Sequence, residues 1–241
     1  MNNKQSIRMT IVYDNNAFDK RLKPHWGFSC LVRGLEKSIL FDTGGKGKIL
    51  LSNMRMLGIP LEAIDLVVLS HIHRDHTGGL DALLKENPRI EVWLPVFFPS
   101  SLKKAVIKRG TNLMEVDKFQ KICEGAYTTG VIQGWINEQS LILDTTKGLI
   151  VVTGCAHPRI IKIISKAREL LEKDIYLVLG GFHLLGFPKN EIEEIIETFR
   201  AEGVKKVGPC HCSGGEARSL FAEEYKDDFL DIGAGKEIEI L

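Results

Sequence analysis

Five short segments of this chain that read as strands each run into a turn that carries a histidine or an aspartate, and this recurrence constrains the fold more than any other feature. Ile39-Leu-Phe41 leads into Asp42-Thr-Gly-Gly45, and Leu66-Val-Val-Leu69 into His71-Ile-His-Arg-Asp-His76. Val151-Val-Thr153 precedes Gly-Cys-Ala-His157, Leu177-Val-Leu179 precedes Gly-Gly-Phe-His183, and Val207 precedes Gly-Pro-Cys-His211-Cys212. One such histidine is ordinarily a satisfied structural residue. The same strand–turn–histidine order met repeatedly predicts strand ends gathered around one shared cleft.

The remaining pattern fits that architecture. Strands are predicted at Ile7–Tyr13, Phe28–Val32, Ser38–Phe41, 66–69 and Ile90–Leu94, where apolar and β-branched residues lie between turn signals. Helices are predicted at Lys46–Leu57 and about 80–86. Residues 95–125 are less regular: Pro95 and Pro99 interrupt them, and Leu102–Lys108 suits a helix. A second alternation follows, with strands at Ala126–Ile132, Ser140–Leu143, Leu149–Val152, Ile175–Leu179 and Val204–Val207. Its helices are Arg159–Glu172, Asn190–Ala201 and Glu216–Glu224. Ile160, Ile163, Ile164, Ala167, Leu170 and Leu171 recur at helical spacing. Asn190 is placed to cap its helix, ahead of three glutamates. The expectation is an α/β (α+β) chain whose two mixed sheets pack face to face with helices outside. These four αββα layers form a single domain over residues 1–241, since no linker separates the halves.

Composition narrows the partners. A formal net charge of +1 supplies no basic field for nucleic acid. No apolar run approaches a membrane span, and Met1–Ser6 lacks an export signal's apolar core, so a cytoplasmic protein with no membrane partner is expected. Five cysteines, at 30, 123, 155, 210 and 212, are an odd number and suit reduced thiols rather than a disulfide framework.

The run at 71–76 packs three imidazoles and a carboxylate into six residues. In extended chain His71 and His73 face the same way and can grip one metal ion, while Asp75 and His76 reach a second position. Gly78 and Gly79 are expected to allow the tight turn that follows. Asp42 has two compatible roles: capping its own turn, and lying beneath the metals to orient a ligand histidine. Cys155, Cys210 and Cys212 read as small buried residues beside the site, as soft-metal ligands, or as oxidation-sensitive thiols. Lys46 and Lys48 lack the spacing of a phosphate loop. Trp93, Phe97 and Phe98 suit core, a substrate-facing lid or a dimer contact, which leaves a homo-oligomer open.

Asp42 in Phe-Asp-Thr-Gly, HxHxDH at 71–76, and His157 and His211 in that order resemble the metallo-β-lactamase superfamily along nearly the whole chain. The resemblance implies a two-metal site, with His71, His73 and His157 on one ion and Asp75, His76 and His211 on the other. The ions would be two divalent metals, zinc first and manganese or iron as alternatives. It further implies a hydrolase whose nucleophile is a metal-activated hydroxide, with Asp75 helping to orient it. The family's usual bridging aspartate is absent, and the corresponding loop is Gly180-Gly-Phe-His183. His183 then stands at or near the metals, or solvent and substrate bridge them. Loss of a carboxylate leaves a more positive site, suited to an anionic small molecule such as a phosphate ester or pyrophosphate.

The Gly-Gly-Phe-His, Gly-Cys-Ala-His and Gly-Pro-Cys-His-Cys loops are similar to one branch of that superfamily. It is the 7,8-dihydropterin-6-ylmethyl-4-(β-ribofuranosyl)aminobenzene 5′-phosphate synthase-like branch. That resemblance implies a pterin-related substrate and either hydrolysis or pyrophosphate displacement. His25-Trp-Gly-Phe-Ser29 is similar to the branch's His-Gly-x-Ser element, with Trp26 inserted. There His25 would reach the substrate; alternatively it is a turn histidine. Two other readings are a di-iron redox protein and a non-catalytic metal-binding protein. Against the first, His73 stands where such proteins carry a glutamate.

Overall fold

The computed structural model describes residues 6–240; residues 1–5, read above for an export signal, lie outside them. The chain forms two compact units. Among the described residues no helix is long and apolar enough to cross a membrane.

The first unit runs to Asp117 and resumes at Gly233. Its strands are β1 (Ile7–Tyr13), β2 (Ser29–Arg33), β3 (Ile39–Phe41), β4 (Leu66–Val68), β5 (Glu91–Pro95), β6 (Leu113–Val116) and β13 (Glu237–Ile240). They form one mixed sheet in the order β13-β1-β2-β3-β4-β5-β6. β1 pairs antiparallel with β13 and β2, and β2 with β3, whereas β3 to β6 run parallel. The parallel pairs need crossovers, which α1 (Gly47–Met56), α2 (Arg74–Thr77), α3 (Leu80–Glu86) and α4 (Ser100–Lys108) supply. The core joins Leu40, Val67 and Val92 of the sheet to Leu50, Met54, Leu83 and Val106 of the helices.

The second unit, Lys118–Ile232, is a six-stranded mixed sheet. Its strands are β7 (Lys118–Cys123), β8 (Ala126–Gly130), β9 (Leu141–Thr145), β10 (Gly148–Thr153), β11 (Ile175–Gly181) and β12 (Lys206–Cys210), in the order β12-β11-β10-β9-β8-β7. β7 to β10 form an antiparallel meander, and β10, β11 and β12 are parallel. α5 (Ile160–Leu171), α6 (Lys189–Ala201) and α7 (Gly215–Tyr225) make the crossovers and the last cover. On α5 the buried residues are Ile160, Ile163, Ile164 and Ala167, the face that helical spacing predicts. They meet Phe182, Phe199 and Phe221 in one cluster.

Two mixed sheets therefore match the expected fold class. Three strands escaped the sequence pattern: β6, β7 and β13 have half-exposed, charged sequences such as Glu237-Ile-Glu-Ile240. Asn190 does not cap α6. The helix starts one residue earlier, with Pro188 at the cap position, where its ring fixes a φ of −61° compatible with entry into the helix. Trp93 and Phe98 are core, whereas Phe97 is exposed.

Candidate metal centre

In the first unit, Asp42 organises the histidines. It lies just past β3, fully buried, with φ +57°. Its Oδ1 accepts the Ser70 backbone N–H at 2.7 Å, and its Oδ2 accepts the Ser70 hydroxyl and His76 Nδ1, each at 2.7 Å. Ser70 Oγ also lies 2.9 Å from His71 Nδ1. Because the serine hydrogen goes to the carboxylate, its oxygen accepts from Nδ1–H of His71. His71 and His76 are thereby both set in the tautomer that leaves Nε2 as a ligand atom.

The rings of His71 and His73 sit edge to face, with Nε2 of His71 and Nδ1 of His73 3.1 Å apart. Two ligand nitrogens on a tetrahedral zinc would stand roughly 3.3 Å apart, so this pair fits a divalent ion. Asp75 Oδ2 and His76 Nε2, 3.6 Å apart, provide a second donor pair. The route to this geometry differs from the expected extended segment. β4 stops at Val68, His71 and Ile72 lie in a bend, and His73 leads into the short α2.

Gly78 and Gly79 are also needed for another reason than the one predicted. Both have ordinary helical φ, −68° and −86°. A Cβ at Gly78 would strike the Gly45 carbonyl, and one at Gly79 the Thr43 carbonyl. Close backbone approach, rather than an unusual turn, demands glycine there.

In the second unit, His157, His183 and His211 end the loops after β10, β11 and β12. His157 and His211 are buried and His183 is half-buried. The rings of His157 and His183 have centroids 4.5 Å apart, and Trp135 stands perpendicular to His157 at 4.9 Å. Phe182 N–H donates to Ser213 Oγ at 3.0 Å, and that hydroxyl donates to the Cys210 carbonyl at 2.7 Å, tying the His183 loop to the His211 loop.

Cys155, His183 and Cys212 offer ligand atoms within 4.8 Å of one another. Burial is the largest single influence on Cys212 and opposes its ionisation, but hydrogen bonds with Cys155 and His183, together with the charges of His211 and His183, hold the thiol well below its ordinary pKa. The same bond to Cys212 raises His183. Cys210 is buried at the end of β12.

One residue of this site was missed. Glu138, only 1% exposed, accepts four successive backbone N–H groups. Its Oε1 takes Gly154, Cys155 and Ala156 at 3.1, 2.9 and 3.0 Å, and its Oε2 takes His157 at 3.0 Å. This clasp shapes the His157 loop and places negative charge among amides that have no strand partner. Glu138 is nineteen residues upstream in the polar run Asn137-Glu-Gln-Ser140, where nothing in the pattern marks it.

His25 is half-buried in the first unit, its Nδ1 3.1 Å from the Trp26 carbonyl and its ring packed edgewise on Tyr13 at 6.1 Å. Beside His157 and His183 the second unit opens a cavity of about 510 Å³, also lined by Trp135, Arg159, Phe187, Glu191 and Glu194.

Comparison with known proteins agrees with this geometry. A family model described as the metallo-β-lactamase superfamily matches residues 27–166. A 7,8-dihydropterin-6-methyl-4-(β-D-ribofuranosyl)-aminobenzene-5′-phosphate synthase of Methanocaldococcus jannaschii is 31% identical, with 95% of either chain covered. Among solved structures, a metal-dependent hydrolase of the β-lactamase superfamily matches with a TM-score of 0.82 at 28% identity, over 97% of this chain and 99% of that one. A diphosphatase of the PhnP family shares the fold, with a TM-score of 0.63 at 15% identity over 98% and 97% of the two chains.

Proposed function

Because this chain belongs to the metallo-β-lactamase superfamily, we propose that it is a metal-dependent enzyme acting on a phosphorylated, pterin-related small molecule. The observation that carries the reading is the pre-set donor array of the first unit. There one buried carboxylate fixes the tautomers of His71 and His76, and each of these stands at ligand spacing from one more donor, His73 and Asp75 respectively. In this reading His71, His73 and His157 hold one divalent ion, and Asp75, His76 and His211 hold a second, as the family resemblance assigns. Zinc suits these imidazole and carboxylate donors. Such ions supply Lewis acidity toward a phosphoryl oxygen and lower the pKa of water.

The chain's own groups do the rest. Asp42 keeps His71 and His76 oriented. Asp75 accepts a proton from, or orients, an attacking water. His183 retains its proton to higher pH than a free imidazole, because of its bond to Cys212, and is the group to protonate a leaving oxygen. The site carries no second carboxylate at the position of His183, which favours an anionic substrate. Support for the pterin comes from the archaeal synthase, 31% identical along 95% of its length.

Metal analysis followed by phosphate- and pyrophosphate-release assays tests the reading, with wild type compared to His71→Ala. Metal-loaded wild type should release phosphate or pyrophosphate from a pterin-6-ylmethyl pyrophosphate. Chelation or His71→Ala should reduce the rate at least a hundredfold. Full activity in metal-depleted protein would sink it.

A further inference from the structure

The cavity beside His157 carries a pattern of charge that the metal chemistry does not use. Glu191 and Glu194 stand one helical turn apart on α6 and both line it. Both are exposed, and among the described residues neither carboxylate has an ion-pair or hydrogen-bond partner, whereas their neighbour Glu193 lies 3.5 Å from Lys189. Arg159 enters the same cavity from the start of α5, its guanidinium over the Phe187 ring at 5.3 Å. It holds a φ of +81°, a backbone conformation that side chains rarely adopt.

Trp135 is 69% exposed yet forms part of the cavity wall beside His157. A large exposed indole next to a candidate ligand histidine offers a flat apolar surface for a ring. Ile160 and Phe187 extend that apolar lining.

We propose that this cavity is the ring-recognition subsite, in which Glu191 and Glu194 read the 2-amino and N3–H donors of a pterin. Arg159 meets its 4-oxo group, and Trp135 covers the ring. The inference rests on the pterin reading above and names the residues that select for it. The chemistry matches edge to edge. A pterin's pyrimidine edge presents donor, donor and acceptor in sequence, and a carboxylate accepts two parallel N–H bonds where a guanidinium donates. The volume, about 510 Å³, suits a fused bicyclic ring with a substituent. The substituent then lies toward His157, where the phosphorylated end is required.

Binding of 6-hydroxymethylpterin and 6-hydroxymethyllumazine to the purified full chain, by equilibrium dialysis, tests the proposal. Lumazine carries an oxygen in place of the 2-amino group and so turns one donor into an acceptor facing the carboxylates. Wild type should prefer the pterin by about tenfold or more. The Glu191→Gln/Glu194→Gln double variant should bring the ratio close to one, while Glu193→Gln on the outer face keeps it. Absence of preference in wild type, or an undiminished preference in the double variant, overturns the proposal. Pyrophosphate release is scored separately. Metal-dependent release with no ring preference removes this inference and leaves the enzyme reading. A ring preference lost in the double variant without any release removes the enzyme reading and leaves the subsite.

Discussion

Asp42, Ala156, Arg159, His183 and His211 share a left-handed backbone that side chains rarely adopt, with φ between +50° and +81°. All stand on the loops just past strands β3, β10, β11 and β12. Each costs of order 1–2 kcal/mol, so the surrounding hydrogen bonds must fix them. Glu138 shows how. Its four backbone bonds are charge-assisted and fully buried, so Glu138→Gln turns one acceptor oxygen into a donor facing amide hydrogens. That variant should lose about 2–3 kcal/mol in urea unfolding and bind metal more weakly, whereas exposed Glu197→Gln should change neither. Unchanged stability would show that the clasp is dispensable. The clasp was illegible in the sequence because a buried acceptor of main-chain groups leaves no side-chain pattern. The histidines that stand as candidate ligands were visible in the sequence because their own spacing marks them.

Among the elements, strands and helices with buried faces could be read from periodicity, as on α5. Those at the margins could not. β13 alternates glutamate with isoleucine, and β7 carries two lysines, so pairing rather than composition makes them strands. Element packing also explains Gly79, where α3 begins against the backbone of Thr43. The Thr43 N–H and hydroxyl both donate to the His76 carbonyl, at 2.7 and 2.9 Å, so a displaced Thr43 pulls on the loop that carries the candidate ligands His71 to His76. Gly79→Ala should therefore cost about 1–3 kcal/mol and lower metal affinity as well. Gly110→Ala is the contrast, because that glycine has open space around it and only its φ of +79° to strain. Circular-dichroism melts with metal titration separate the two. Equal, small effects would place the constraint elsewhere.

On the scale of the molecule, the first unit is completed by residues from the far end of the sequence. β13 pairs with β1 from Ile7–Ile240 to Thr10–Glu237, and Gly235 N–H donates to the Ile11 carbonyl at 2.7 Å. Removing residues from Gly233 onward should expose the β1 edge and yield protein that aggregates by light scattering, since an open apolar edge recruits other strands. A monodisperse, folded truncation would refute that dependence. The Glu138 clasp has a consequence for how such a protein can change over time. It grips main-chain amides, so the identities of residues 154 and 155 are not what shapes the loop; a single glutamate outside it is. The loop's lettering can drift while its form is inherited from elsewhere in the chain.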